Sequence, residues 1–422
     1  MKNLAKPVVG IFLFLFSLGL LFSCSKDDET SKGSSEIQLT ITASSTSIEE
    51  GEEVVFEVRA GGAPVNGAQI LLDGDPISGY NHIFTTSGTY QAIATKEGYE
   101  DSQPLSIIVE NLPDIYVAGS EDNGYSLVKF WKNGNPVILS NDFTFGSAGS
   151  IFVSDSDVYV AGSEEGIAKY WKNGVPVILG GGNTVSYAHS IFISDGNVYV
   201  AGYEYDGTNN VAKYWVNGTP VSLTDGTTTA IAYSVFVFDG DVYVAGYERS
   251  HGQFPISIAK YWKNGVAVSL TDESSYSRAT SVFVSDDDVY VAGHAYPDNE
   301  RIALYWKNGM PFTLSDDVQF ARATSIFVSE GDVYVSGYTG GLSSDHINTA
   351  VYWKNGELVS LTDGTKDATA RSIVVSAGDV YVAGSEYNGS ESVAKYWKNG
   401  VPVILGDGSN GTYAASIFVV ND

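Results

Sequence analysis

Asp157-Val-Tyr-Val-Ala-Gly162 is followed by a short polar loop, Ala168-Lys-Tyr-Trp-Lys-Asn-Gly174, Val175-Pro-Val-Ile-Leu179, a second loop and Ser190-Ile-Phe-Ile-Ser194. Seven copies of this unit fill the chain from Asp114 onward, and each holds one of the seven tryptophans: Trp131, Trp171, Trp215, Trp262, Trp306, Trp353 and Trp397. Each tryptophan lies 8 residues before a leucine, and that leucine lies 11 before the serine opening the next apolar run. That serine lies 9 before the tyrosine of Val-Tyr-Val wherever both exist. Only the step from this tyrosine to the tryptophan varies, from 12 to 19 residues, so all length variation falls in one loop. A repeat of this length with four strand-like runs is the signature of a β-propeller blade.

Turn chemistry orders the strands. Asp195-Gly196 and Asp239-Gly240 separate the Ser-Ile-Phe run from Val-Tyr-Val, and Asn-Gly follows the tryptophan strand, so both connections read as tight hairpins. The 11-residue connection must then carry the chain from the outer edge of one blade to the inner edge of the next. The Ser-Ile-Phe run is accordingly innermost, followed outward by Val-Tyr-Val, Lys-Tyr-Trp and Pro-Val-Ile. The first blade begins on its second strand at Ile115, and the lone last run, Ser416 to Val420, is expected to pair beside Ile115 to Ala118 and close the ring. The fold expected is all-β: a seven-bladed propeller of four-stranded blades over residues 114–422, preceded by a small β-sandwich over 36–110.

Composition agrees with strands and tight turns: 46 glycines and 27 tyrosines against 2 methionines. A net charge of −27 argues against nucleic acid, whose phosphates need clustered Lys and Arg. The single cysteine, Cys24, rules out an intrachain disulfide and a cysteine-based zinc site. Lys2 and Lys6 precede a mainly apolar run of 15 residues, Val8 to Phe22, which has the layout of a signal peptide over residues 1–23. Residues 24–35 read as a polar tether.

Two resemblances give that layout meaning. Leu21-Phe22-Ser23-Cys24 resembles a bacterial lipobox, which implies acylation of Cys24 and a lipid anchor in the outer membrane. Ser25-Lys26-Asp27-Asp28-Glu29 resembles the lipoprotein export signal of Bacteroidota, which implies display on the cell exterior. The runs Ile37 to Ile41, Glu53 to Val58, Ala68 to Leu72, Gly88 to Ala94 and Leu105 to Val109 resemble a bacterial immunoglobulin-like domain, with Gly88-Thr89-Tyr90 placed as a tyrosine corner. Its implied role is a spacer. The whole resembles a Bacteroidota-type surface lipoprotein.

The tryptophans and Val-Tyr-Val runs read as inter-blade core. Ala-x-Ser opens every inner strand, as at Ala188 and Ser190, because small residues suit strands converging on an axis. The residues that do vary there are Tyr187, His189, Tyr233, Arg278, Arg322, Arg371 and Tyr413, expected to ring a channel mouth. The variable loops, expected on the same face, supply Tyr203, Glu204, Tyr247, Glu248, His294, Tyr338 and Tyr387, with Glu164, Tyr205, Phe254 and Tyr296. Such side chains on a rigid scaffold are candidates for recognition of an extracellular glycan or protein.

No catalytic residue, metal ligand or cofactor is nominated. Carboxylates are too numerous for a single acid-base pair, the five histidines lack metal spacing, and no nucleophile elbow or phosphate loop occurs. The reading is a monomeric, non-enzymatic binding protein. The alternatives are a polysaccharide lyase or glycosidase on the same scaffold, and a structural surface component without specific ligand.

Overall fold

The computed structural model describes residues 37–141, 143–181, 184–252, 255–297, 300–315, 320–340 and 347–421. Cys24 with the leader and tether, Phe254 and His346 lie outside them. The described residues contain no α-helix, and the chain divides into two compact units between Glu110 and Asn111.

In the first unit, Leu39–Ala43, Glu53–Ala60 and Ala63–Pro64 pair in that order, and Asn81–Ile83 also pairs with Glu53–Ala60. A second sheet runs Ser47–Glu49, Leu105–Glu110, Gly88–Thr95, Gln69–Leu72 and Asp75–Pro76. Alternation decides which face is buried: Val54, Phe56 and Val58 point inward along Glu53–Ala60 and join Leu39, Ile70, Phe84 and Ile107 in one core. The Tyr90 hydroxyl donates to the Thr86 carbonyl at 2.8 Å, which pins the corner before its strand.

In the second unit the described residues form seven four-stranded antiparallel sheets, an arrangement consistent with a propeller. The third sheet shows the pattern, in the order Ser186–Ser194, Asn197–Tyr205, Asn210–Val216 and Thr219–Ser222. The first sheet is composite: Gly411–Val420 pairs with Asp114–Asp122, matching Ser416 to Ala118 and Val420 to Asp114. Proline stands in the outermost strand at Pro136, Pro176, Pro220, Pro311 and Pro402, the edge position that tolerates a missing N–H.

Hydrophobic clusters lie between sheets. One joins Tyr159, Ala161, Ala168 and Leu179 of the second sheet to Ala188, Ile191, Val200 and Trp215 of the third. Equivalent clusters join each later pair, and another joins Tyr381, Ala394 and Leu405 of the seventh sheet to Ile417, Val419, Val117 and Trp131 of the first. The first and second sheets meet in the same way around Trp171. All seven tryptophans are 0–2% exposed, each filling one such interface.

Two ladders run along the innermost strands. Phe418, Phe152, Phe192, Phe236, Phe283 and Phe327 contact in succession with ring centroids 4.7–4.9 Å apart. The serine of Ala-x-Ser does more than spare volume. Ser190, Ser234, Ser281, Ser325, Ser372 and Ser416 each accept, at 3.1–3.5 Å, a backbone N–H from the inner strand of the following sheet, Ser416 from Ile151.

At the hairpins the Asn of Trp-Lys-Asn-Gly adopts a left-handed conformation, φ 49–51° in all seven copies. Its side chain then bridges strands. Asn173 Nδ2 donates to Asp157 at 2.7 Å, Val158 N donates to Asn173 Oδ1 at 2.8 Å, and Lys172 pairs with Asp157 at 2.7 Å. In the third sheet Asn197 replaces the aspartate and Val216 the lysine, so the charge pair is absent together with both members while the Asn217 bond persists.

Candidate functional site

Each inner strand starts four or five residues ahead of its serine, earlier than the apolar run suggests, because a bulge lets pairing continue. In the third sheet Tyr187 pairs with Tyr203 and Ala188 with Gly202, His189 is skipped, and Ser190 pairs with Ala201. The same shift occurs between Ala and Ser in every inner strand. A bulge re-aims the extra residue away from the ladder. Here the extra residues are Gly149, His189, Tyr233, Thr280, Thr324, Arg371 and Ala415.

The glycine of Val-Tyr-Val-Ala-Gly makes this crossing possible. A Cβ at Gly202 would overlap the Tyr187 carbonyl oxygen, and Gly246, Gly293, Gly337 and Gly384 face the equivalent carbonyls. The repeated Ala-Gly is therefore the counterpart of the bulge.

All seven bulge residues line one cavity of about 310 Å³, with Ser147, Ala148, Ala188 and Arg322. Every inner strand contributes to it, and no carboxylate is among its lining residues. Its wall is asymmetric. On the side of the third and fourth sheets the rings form an arc: Tyr187 stacks on Tyr203 at 5.3 Å, His189 lies 5.7 Å from Tyr203 and 5.3 Å from Tyr233, and Tyr233 lies 6.0 Å from Tyr247. On the side of the fifth to seventh sheets the residues are cationic. Arg278 sits over the Tyr247 and Tyr276 rings at 4.5 and 5.0 Å, Arg322 Nη1 donates to the Tyr338 hydroxyl at 3.5 Å, and Arg301 lies 5.4 Å from the Tyr338 ring centre. The hydroxyls of Thr280 and Thr324 donate to main-chain carbonyls of their own and the next sheet at 2.9–3.1 Å, tying the bulges together.

Burial sets the ionisation of the wall. It pulls the pKa of His189 down to about 4 and, with Arg322, Arg278 and Arg301 nearby, that of His294 to about 2, so both imidazoles are neutral at physiological pH. Burial also raises the Tyr203 hydroxyl to about 12 and pushes Tyr233 and Tyr247 up, leaving all three protonated as donors. Arg371 presents much surface, but that surface faces into the cavity; burial there lowers its pKa, Tyr338 opposes this and the neighbouring Arg322 adds to it. Buried polar atoms without a hydrogen-bond partner include His189 Nε2, Arg278 Nε and Arg322 Nε.

The fourteen candidate side chains therefore divide. His189, Tyr233, Arg322 and Arg371 line the cavity, and Tyr187, Tyr203, Tyr247, Arg278, His294 and Tyr338 surround these. Tyr247 and His294 are only 3% and 2% exposed, and Tyr203, Tyr247, His294 and Tyr338 sit on the ends of second strands, not on loops, because the bulged register extends those strands past Ala-Gly. Tyr413 is exposed, pairs with Ser120 in the ladder and does not line the cavity. Tyr387 donates its hydroxyl to the Gly389 carbonyl at 3.1 Å and lies outside too. Thr280 and Thr324, which line the cavity, were not singled out by the sequence pattern because threonine reads as an ordinary strand residue.

Glu204 and Glu248 have another occupation. Each pairs at 2.5 Å with the lysine two residues before the tryptophan, Lys213 and Lys260, as does Glu164 with Lys169; Glu121–Lys129 and Glu386–Lys395 pair likewise. In the fifth and sixth sheets Ala295 and Thr339 stand in place of the glutamate, and Leu304 and Val351 in place of the lysine. Loss of both members together identifies a structural pair.

Burial alone would raise the pKa of Glu121, Glu164 and Glu204, but hydrogen bonds from Lys129, Lys169 and Lys213 outweigh it and hold all three below their ordinary value. A carboxylate depressed in the folded state contributes stability above its unfolded pKa and loses it as pH falls through the folded one. The melting temperature is expected to fall as pH drops below about 6.5, because folding keeps His189 and His294 neutral while the unfolded chain protonates them, and to fall further below about 4.5, the ordinary glutamate value. Calorimetric scans across that range check it; a melting temperature that stays flat from about pH 7 to about pH 5 would contradict it.

No family model matches the chain, and no curated relative matches it. Solved structures do. A quinoprotein alcohol dehydrogenase-like protein from Bacteroides thetaiotaomicron aligns at 12% identity with a TM-score of 0.41, over 89% of this chain and 96% of its own. An auxiliary nutrient binding protein from Bacteroides ovatus aligns at 13% with a TM-score of 0.37, over 83% and 95%. A prolyl endopeptidase aligns at 12% with a TM-score of 0.42, over 83% of this chain and 50% of its own.

Proposed function

We propose that this chain is a surface-displayed lipoprotein that binds an extracellular glycan in the cavity at the centre of its inner strands. In this reading the seven sheets are blades of a propeller closed by Gly411–Val420, Leu39–Glu110 is an immunoglobulin-like spacer, and Cys24 carries the lipid anchor. The observation that carries the binding function is the cavity: seven bulges aim one residue each into a common space, and buried polar atoms at its wall lack partners. Unsatisfied donors beside aromatic faces suit the hydroxyls and C–H faces of a sugar. Hydrolysis of a glycosidic bond by the usual route needs two carboxylates facing the substrate, and the lining supplies none, which favours binding over glycoside hydrolysis.

Intact cells expressing the full chain, incubated with a panel of fluorescent oligosaccharides, test this. The expected result is labelling by at least one glycan, abolished by external protease and reduced at least tenfold in affinity by Tyr233→Ala. No labelling by any glycan, or labelling untouched by Tyr233→Ala in a folded protein, would overturn it.

A further inference from the structure

Arginine is scarce in this chain and unevenly placed. Four of the six arginines, Arg278, Arg301, Arg322 and Arg371, gather about the cavity from the fifth, sixth and seventh sheets. Among the described residues none of the four has an ion-pair partner, although acidic residues outnumber basic ones by 50 to 23. The lysines behave differently: Lys129, Lys169, Lys213, Lys260 and Lys395 are each matched to a glutamate. Partly enclosed charges are normally paired, because desolvation without a counter-charge is costly. Two adjacent unpaired guanidinium groups, Arg322 and Arg371, in a carboxylate-free cavity therefore leave a place for an anion from outside. The planar fork of arginine matches carboxylate and sulfate oxygens.

Resting on the binding reading above, we infer that the cavity recognises a terminal acidic sugar, its ring against His189 and Tyr233 and its carboxylate or sulfate on Arg322 and Arg371. The aromatic and cationic halves face one another across a space of about 310 Å³, at the low end of small-ligand sites, which suits one or two sugar rings. The charge of the whole chain sets a further limit. Screening confines the attraction of the arginines to about a Debye length, about 8 Å at physiological salt, and a chain at −27 repels any polyanion segment lying against its surface, so the attraction operates only inside the cavity. Recognition is accordingly of a chain end, and a short oligosaccharide binds at least as well per mole as the polymer.

Titration calorimetry of the full chain in mild detergent tests the inference with four probes: digalacturonate, its methyl ester, a sulfated disaccharide and the uncharged parent disaccharide. The charged probes are expected to bind at least tenfold more tightly than the ester and the parent, and the two charged arms distinguish carboxylate from sulfate. Arg322→Gln and Arg371→Gln are expected to remove that preference, while Arg59→Gln, in the first unit, leaves it intact. The ester comparison uses the unaltered protein, so a poorly folding variant does not blunt the test. Equal affinity for charged and neutral probes, lost in Tyr233→Ala, would overturn the acidic-sugar inference while sparing glycan binding. Failure of all probes to bind, together with an unlabelled glycan panel, would overturn both.

Discussion

A chain ending at Ala415 is expected to lose its cooperative native melt or to melt far below the full chain. Ser416–Asn421 supplies the partner of Asp114–Ala118, the hydroxyl that accepts from Ile151, and Phe418 beside Phe152. It also supplies Ile417 and Val419, 5% and 9% exposed in the cluster joining the seventh and first sheets. Burial of these two side chains is worth about 1.5–3 kcal/mol each. Their sum, about 3–6 kcal/mol, is already a large share of the whole stability of an ordinary domain, about 5–15 kcal/mol, before the part-buried Phe418 and the lost ladder are added. Calorimetry on the truncated and full chains decides it, and an unchanged transition would refute the role of the last strand.

Replacement of Trp215 by alanine is expected to cost about 3–5 kcal/mol, the range for a buried large aromatic. Trp215 is fully buried and packs among Tyr170, Ala188, Ile191 and Val200 between two sheets. Its indole N–H has no acceptor among the described residues, as is also true of Trp262 and Trp353. The residue is therefore used for volume and not for a hydrogen bond. Trp215→Phe is expected to cost under about 1.5 kcal/mol, because the lost area is offset by removal of an unsatisfied donor. Equilibrium urea unfolding of both variants measures the difference; equal losses would show that the indole nitrogen is needed after all.

The invariant spacings reveal the sheets because tight Asn-Gly turns and a buried tryptophan tolerate no insertions, so strand order and pairing partners follow from counting. The start of each inner strand is harder to read. Tyr187 and Ala188 lie outside the Ser-Ile-Phe run, and only the clash awaiting a Cβ at Gly202 marks where the ladder resumes beyond the bulge. In the first unit, Ser47–Glu49 and Asn81–Ile83 are three-residue strands, too short for alternation to register.

The site was legible where variation stood against a repeat. His189, Tyr233 and Arg371 occupy the x of Ala-x-Ser, and the structure brings all three to the cavity. Glu204 and Glu248 were drawn in by their place beside the variable loop, although their lysine partners, 9 and 12 residues downstream, vary with the glutamate position from repeat to repeat. That joint variation was the available signal. Arg278, Arg322 and Arg371 were legible in the same way as His189, as varying residues at the start of inner strands, whereas Arg301, which stands in a connection just before Ile302–Lys307, carries no signal in the repeat.

A crystal structure of the full chain grown with saturating digalacturonate tests the central claim most directly. The predicted result is one sugar ring against His189 and Tyr233, with its carboxylate on Arg322 and Arg371, in a cavity otherwise unchanged. Saccharide bound on the outer strands or variable loops while the cavity holds only water would contradict it.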